Sequence, residues 1–156
     1  ELDTVEIMVN AYLENPSKSI FHADRYDVDM NEDRKARKFH PSVLKFKYYG
    51  MVFHHPSMFI TKEEYQIHKY NIKLKALSDY QFVLEAYLRD NTIFHYIEKP
   101  VVNYRLNGVS TKLSNIDRIK EGYISQRSAG LTIIESLFSQ CFRLFVFVFY
   151  QTKNNE

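Results

Sequence analysis

The stretch LSDYQFVLEAYLRDNTIFHYIEKPVVNYRL, residues 77–106, indicates an α/β fold. Its first half predicts a helix capped by Ser78, because apolar residues recur at the spacing of one buried helical face: Phe82, Val83, Ala86 and Tyr87. Its second half predicts two strands, TIFHYI at 92–97 and VVNYRL at 101–106, joined at Lys99–Pro100. A helix followed by strands predicts a sheet with helices packed against it.

The residues before this stretch predict elements of the same kinds. A capping box beginning at Asp3 opens a helix that ends at Asn15–Pro16, with an apolar face made of Val5, Met8, Val9 and Tyr12. Residues 19–24 predict a short strand that ends in Asp24, and residues 27–40 predict an exposed, charged loop. Residues 43–60 predict short strands, and Thr61 opens a second capped helix.

The C-terminal residues predict helix from Asn115 onward. Apolar residues share one side of the segment 131–150: Ile134, Leu137, Phe138, Cys141, Phe145, Val148 and Phe149. We expect Cys141 to be a packed thiol. This side predicts either cover for the protein's own sheet, or an amphipathic helix that lies on a membrane face or a partner. The apolar run LFVFVFY at 144–150 is far shorter than a membrane span.

Composition excludes several classes of function. The chain has 156 residues, a net charge of +2 and no basic stripe interleaved with aromatics, so we expect no nucleic-acid partner. Four glycines leave too few for a phosphate-binding loop. One cysteine excludes an internal disulfide and suits a reducing compartment. The six histidines lack the spacing and cysteine partners of a self-contained zinc site.

Asp79 lies at the start of the predicted helix in the opening stretch. An Asp in the first turn of a helix is common, because a carboxylate there complements the helix dipole. Helical position alone therefore gives Asp79 no catalytic role. The order of the motifs around it changes that interpretation.

Six motifs occur in the order found in a known family. His55 and Phe59 form His-x-x-x-Phe ahead of a short helix, and the helix start Ser78-Asp79-Tyr80-Gln81-Phe82 follows about twenty residues later. Three pieces come after it: Phe94-His95-Tyr96-Ile97, Tyr104-Arg105 and Gly108-Val109-Ser110. Together they resemble the C-terminal half of the family 2 glycosyltransferases, which have the GT-A fold. The likeness covers roughly residues 1–112.

The resemblance implies a fold and a domain organisation. Residues 1–112 would be the acceptor-side half of an α/β, partial GT-A (nucleotide-diphospho-sugar transferase-like) domain, with a mixed sheet and flanking helices. Residues 113–156 would be a C-terminal helical segment. We expect the chain to be a fragment, inactive alone, of an inverting hexosyltransferase. Its nucleotide-sugar donor site and its Mn or Mg ligands, an Asp-x-Asp, would lie outside this chain, with no metal ligand within it.

The resemblance also implies site residues. Asp79 would be the general base that takes the proton of an acceptor hydroxyl. Tyr80 and Phe82 would narrow the site. His54 or His55 would line the sugar pocket or approach the metal, with His55 favoured by the spacing to Phe59. Arg105 would face the diphosphate, or be a solvent-facing residue at a strand end.

Two departures and one alternative accompany the resemblance. Asp27-Val28-Asp29 has the letters of the metal motif, but it follows the helix and strand that should come after that motif. KYNIKLKAL, residues 69–77, replaces the usual Gly-Phe/Leu-Asp-Glu. The alternative is a binding module that keeps the fold without catalysis.

The same family suggests a setting and partners. We expect bacterial surface-polysaccharide synthesis in the cytoplasm, with a saccharide or lipid-linked acceptor. The resemblance leaves open a homo-oligomer and a peripheral contact of residues 131–150 with the inner membrane face.

Overall fold

The computed structural model describes residues 1–106 and 114–153, and side chains as far as Val146. The helices are α1 (Thr4–Glu14), α2 (Val43–Tyr48), α3 (Lys62–Ile67), α4 (Ser78–Arg89), α5 (Asn115–Ser128) and α6 (Ile133–Lys153). The strands are β1 (Ile20–Val28), β2 (Arg34–Arg37), β3 (Met58–Ile60) and β4 (Phe94–Arg105). Single 3₁₀ turns at His55–Ser57 and Asn91–Ile93 lead into β3 and β4. The predicted turn at Gly108-Val109-Ser110 lies outside the described residues.

The sheet is built around β1. Strands β2 and β3 pair with β1 in antiparallel orientation, with Tyr26 opposite Ala36 and Phe21 opposite Phe59. Strand β4 pairs with β1 in parallel from Phe94 to Arg105. The molecule therefore has a mixed four-stranded sheet with flanking helices, which confirms the α/β class.

Strand β4 is one continuous strand, so the prediction of two strands was wrong. Ala23 of β1 pairs with Ile97 and the next residue, Asp24, pairs with Pro100. The residues between Ile97 and Pro100 bulge out of register, and a proline is tolerated at a bulge because its missing N–H interrupts no regular ladder. The Lys99–Pro100 pair thus bends β4 without ending it.

Two other segments differ from their predictions. Strand β1 runs past Asp24 to Val28 and returns through a turn with Glu32 at φ 65° into β2, so much of the predicted loop at 27–40 is an exposed hairpin. The first part of 43–60 is helix α2, because Ser42 caps it by accepting from the Lys45 N–H at 3.3 Å. Only β3 matches the strands predicted there.

The core forms around α4. The predicted face is confirmed: Phe82, Val83 and Ala86 are buried, and Tyr87 packs at their edge. Further buried side chains from other elements meet this face: Phe46, Phe53 and Leu131. Each fully buried side chain of this size stabilises the fold by roughly 1.5–3 kcal/mol.

The N-terminal helix buries a narrower face than predicted. Met8 lies in the core beside Ala11, whereas three other members of the predicted face remain exposed: Val5, Val9 and Tyr12. Asp3 makes no capping hydrogen bond, because its carboxylate accepts from Lys99 Nζ at 2.7 Å instead. At the next predicted box, Thr61 does cap α3, accepting from the Glu64 N–H at 3.4 Å.

Helix α6 packs with its polar side inward, so the alternative in which its apolar side covers the protein's own sheet was wrong. Ser136, Ser139 and Gln140 are buried against the domain, while the predicted packing side points outward. Exposed members of that side are Ile134, Leu137, Phe138, Cys141 and Phe145. The side chains of Val148 and Phe149 lie outside the described part. Within residues 1–106 and 114–153, no helix has the length and apolarity needed to cross a membrane.

Candidate functional site

Asp79 lies in the first turn of α4 with about a third of its side chain exposed, 33%. Its Oδ1 accepts from the Tyr80 backbone N–H at 2.7 Å, which leaves Oδ2 for other contacts. The N–H groups at a helix start favour a carboxylate there. Asp79 is therefore oriented by the helix and partly exposed, with Oδ2 towards its neighbours.

His55 and Tyr70 complete a short chain of polar groups at Asp79. His55 Nδ1 lies 3.6 Å from Asp79 Oδ2, and its Nε2 is 3.1 Å from the Tyr70 hydroxyl. Burial, a hydrogen bond with Tyr65 and the charge of Asp79 raise the pKa of Tyr70 above its usual range. When the Tyr70 hydroxyl donates to Nε2, a neutral His55 carries its proton on Nδ1, the atom that faces Asp79.

Glu121 of α5 holds the segment that leads into α4. Its carboxylate accepts from the backbone N–H groups of Lys75, Ala76 and Leu77 at 2.8, 3.0 and 3.1 Å. Glu121 is buried, so these bonds are shielded from water. The predicted Ser78 cap is absent, and the Ser78 hydroxyl is buried without a partner among the described residues. Glu121 thus fixes the backbone that leads into α4, immediately before Asp79.

His54 does not face the same surface as His55. The two histidines straddle the start of a 3₁₀ turn, and His54 is buried with its Nδ1 lacking a hydrogen-bond partner among the described residues. Burial, followed by the charge of Arg25, lowers the pKa of His54. Of the two histidines, the structure places His55 beside Asp79.

Tyr80 is a core residue and not a site residue. Its ring is fully buried, and its hydroxyl donates to the Phe46 carbonyl at 2.9 Å. Phe82 is buried as well, with its ring stacked on Tyr70 at a centroid distance of 5.0 Å. Consecutive residues on a helix point 100° apart, so Asp79 faces outward while Tyr80 faces the core. Phe82 supports the site from beneath, through Tyr70.

Arg105 and Asp24 lie apart from Asp79. Arg105 is exposed at the end of β4, where it pairs with Val28 of β1. The 3₁₀ turn that begins at His55 is held at Ala23 of β1, whose carbonyl accepts from the Ser57 hydroxyl. Val28 and Ala23 are five residues apart, which is about 16 Å along the strand. Asp24 is buried and accepts from the Phe39 N–H and the Tyr96 hydroxyl, both at 2.7 Å. Asp24 therefore ties β1 to its neighbours. Arg105 does not belong to the group formed by Asp79, His55, Tyr70 and Glu121, which we call the Asp79 cluster.

The acidic residues that the structure describes do not form a group that fits a metal ion. Among residues 1–106 and 114–153, no three His, Cys, Asp or Glu side chains are grouped as a metal site. Asp27 pairs with Arg25 at 2.7 Å, and Asp29 accepts from the N–H groups of Asn31 and Asp33 within its turn. We therefore assign no step to a metal held by these residues.

A second polar cluster lines a cleft of about 700 Å³ between α4 and the α5–α6 connection. Arg89 at its wall binds buried Glu64 through both carboxylate oxygens, at 2.7 and 2.8 Å. His68 sits beside them with Nδ1 3.2 Å from Glu85 Oε2. Arg89 has its opposite charge in Glu64, and His68 contacts Glu85, an arrangement typical of a structural network.

Sequence reasoning found two members of the Asp79 cluster and missed two. Asp79 and His55 were named, whereas Tyr70 and Glu121 were not. Tyr70 lies in the segment 69–77, whose one signal in the sequence is its departure from the family pattern. Glu121 follows Asp79 by forty-two positions in a helix, where an isolated acidic residue gives no signal of its contacts.

Comparison with known proteins adds no family. No protein-family model matches the chain, and no curated protein matches it either.

Proposed function

We propose that this chain is the acceptor-side half of an inverting glycosyltransferase with the GT-A fold, and that Asp79 is its general base. The observation that carries the proposal is the Asp79 cluster. A carboxylate with about a third of its side chain exposed stands at a helix start, beside His55 and Tyr70. The order of motifs in the sequence supplies the family, and the mixed sheet with flanking helices is compatible with it.

The proposed chemistry is a single displacement. Asp79 Oδ2 takes the proton from an acceptor hydroxyl while that oxygen attacks the anomeric carbon of a nucleotide sugar. The new C–O bond forms as the bond from the anomeric carbon to the diphosphate breaks, and the electron pair leaves with the nucleoside diphosphate. A sugar hydroxyl is a poor nucleophile, so a carboxylate within hydrogen-bond reach lowers the barrier. Attack from the opposite face inverts the configuration.

The neighbours of Asp79 have positioning roles in this proposal. Glu121 holds the backbone before α4, and His55 stands 3.6 Å from Oδ2, where it limits the rotation of the carboxylate. Tyr70 fixes the other side of the imidazole ring. Preorganised groups of this kind keep a base in the geometry of proton transfer.

The alternative is a binding module that keeps the fold without catalysis. The observation in its favour is the segment 69–77, which departs from the family pattern and places the Tyr70 hydroxyl on His55. In this alternative His55 and Tyr70 recognise a saccharide by hydrogen bonding, and Asp79 accepts a bond without moving a proton.

Product analysis of the full-length protein tests the proposal. The protein is incubated with a panel of nucleotide sugars, saccharide acceptors and Mn, and nucleoside diphosphate release is measured. The anomeric configuration of the product is determined by NMR. The proposal predicts acceptor-dependent release and an inverted linkage. Saccharide binding without any release, across the whole panel, would favour the binding module, and a retained configuration would exclude the displacement by Asp79.

A further inference from the structure

Helix α6 presents a wholly apolar half of its surface away from the domain. Six large side chains between residues 133 and 144 contribute to it, with exposed fractions of 80% for Ile134, 61% for Phe138, 55% for Ile133, 53% for Leu137, 45% for Leu144 and 44% for Phe142. Cys141 is also exposed and lies near the middle of this half. We call these seven residues the α6 face. Such a face is larger than scattered surface apolar residues produce and marks an interaction site.

Hydrogen bonds on the opposite side fix the rotation of α6. Gln126 of α5 donates to Ser139 Oγ at 2.7 Å, and Gln140 donates to Gln126 Oε1 at 2.8 Å. Turning the helix to bury the α6 face would break these bonds between buried amides, which is costly in free energy. The Arg143 side chain packs against Gly122, and a larger residue at position 122 would collide with it. The outward direction of the α6 face is therefore built into the packing.

The α6 face has the area of a stable protein interface. With about 200 Å² for each large side chain, its exposed fractions leave roughly 700 Å² of apolar surface on one copy. Complete cover of this face by a second copy would bury about 1,400 Å² in all, which is the upper limit for the pair and lies within the ~1,200–2,000 Å² typical of specific complexes. A twofold pair uses the same patch on both subunits.

Charge and shape favour a second copy over a lipid surface. Between residues 133 and 146 the charged side chains are Glu135 and Arg143. Glu135 accepts from the Thr132 N–H, and the Arg143 side chain packs inward. The α6 face thus lacks the basic rim that holds interfacial helices on anionic lipid. Cys141, a small residue among large ones, leaves a gap that the Phe138 of another copy can fill.

We propose that the α6 face is a homodimer interface, in which two α6 helices pack antiparallel about a twofold axis close to Cys141. This interface does not depend on the proposed enzymatic activity.

The test measures the oligomeric state of the full-length protein. Sedimentation velocity from about 0.1 to 50 µM is run on the wild type, on Leu137→Glu, and on Leu13→Glu as a matched control at an exposed position of α1. A charge in the centre of an apolar interface should weaken the dimer about 30-fold or more, whereas the control should leave it unchanged. Circular dichroism confirms that both variants fold, since Leu137 is exposed in the monomer.

Cross-linking supplies an independent geometric readout. In a background whose other cysteines, where present, are changed to Ser, a short bis-maleimide should join two copies through Cys141, and Leu137→Glu should abolish the product. Two results would overturn the proposal. One is a wild-type protein that is monomeric at 50 µM. The other is a dimer that persists in Leu137→Glu and is not cross-linked through Cys141. A monomer that floats with phosphatidylcholine vesicles and loses this binding on Leu137→Glu would also overturn it, and would assign the face to lipid.

Discussion

Acidification should destabilise the fold through His22. This residue lies on β1 and is buried, with its ring stacked on Tyr96 at a centroid distance of 5.2 Å and edged by Phe39 and Phe53 at 4.6 and 4.9 Å. Burial, and then the nearby His54 and His95, lower the pKa of His22 from 6.5 to about 4, although Asp24 acts in the opposite direction. The folded protein therefore holds His22 neutral.

The sign and size of the effect follow from linkage. Between pH 6.5 and about 4 the unfolded chain binds a proton at His22 that the folded protein excludes, so the free energy of unfolding falls as the pH falls. The difference of 6.5 minus about 4 corresponds to roughly 3 kcal/mol at about 1.4 kcal/mol per pH unit. Protonation of His22 should not change the free energy of unfolding above about pH 7, and it should lower it no further below about pH 4.

Urea unfolding followed by circular dichroism, at pH 7, 6, 5 and 4.5, measures this loss. His22→Phe keeps an aromatic ring in the same surroundings but removes the titration, so its free energy of unfolding should fall less over this range. His40→Phe, at an exposed position, is the matched control and should behave as the wild type does. An equal loss in the wild type and in His22→Phe would refute the reasoning.

Two further predictions concern buried carboxylates and are tested by the same urea unfolding at pH 7. Arg89→Ala should lower the free energy of unfolding by about 3–5 kcal/mol, because it leaves buried Glu64 without its bidentate partner, and adding Glu64→Gln should recover part of the loss. A single variant as stable as the wild type would contradict this. Glu121→Ala should cost about 3 kcal/mol by leaving three backbone N–H groups unpaired and should speed amide hydrogen exchange at Leu77, with Glu121→Gln less affected. Unchanged exchange at Leu77 would show that Glu121 does not hold this segment.

Periodicity predicted the elements that depend on local pattern. Helix α4 and its buried face were predicted because Phe82, Val83 and Ala86 pack directly on the core. Periodicity failed where contacts distant in sequence decide. The apolar residues of helix α6 recur at the spacing of a buried face. The hydrogen bonds of Gln126 with Ser139 and Gln140 nevertheless place that face outward. Those bonds join two helices and leave no trace in the spacing of either.

The strands show the same limit. Lys99–Pro100 was predicted to separate two strands, since proline interrupts a regular ladder. The pairing of β4 with β1 accommodates Pro100 by a shift in register after Ala23. This shift depends on the partner strand, so the sequence of β4 alone does not predict it. Helix α2 was predicted as strand because its aromatic residues have high β propensity, which tertiary packing of Phe46 overrides.

Motif order made two residues of the candidate site predictable, and the residues around them less so. Asp79 and His55 were named from motif order, and the structure brings them together. Tyr80 and His54 were named with them, but their burial depends on the direction of each side chain, which motif spacing does not specify. Tyr70 reaches His55 across fifteen positions, through a segment without regular periodicity.

Turnover by Asp79→Asn in the full-length protein tests the central claim most directly. Asn keeps the shape of the side chain and the oxygen that accepts from the Tyr80 N–H, but it cannot take a proton. Asp117→Asn makes the same change in the first turn of α5 and is the matched control. The proposal predicts that Asp79→Asn lowers turnover about 10²- to 10⁴-fold with donor affinity nearly unchanged, while Asp117→Asn stays close to the wild type. An Asp79→Asn protein that keeps more than half of the wild-type turnover would show that Asp79 is not the base.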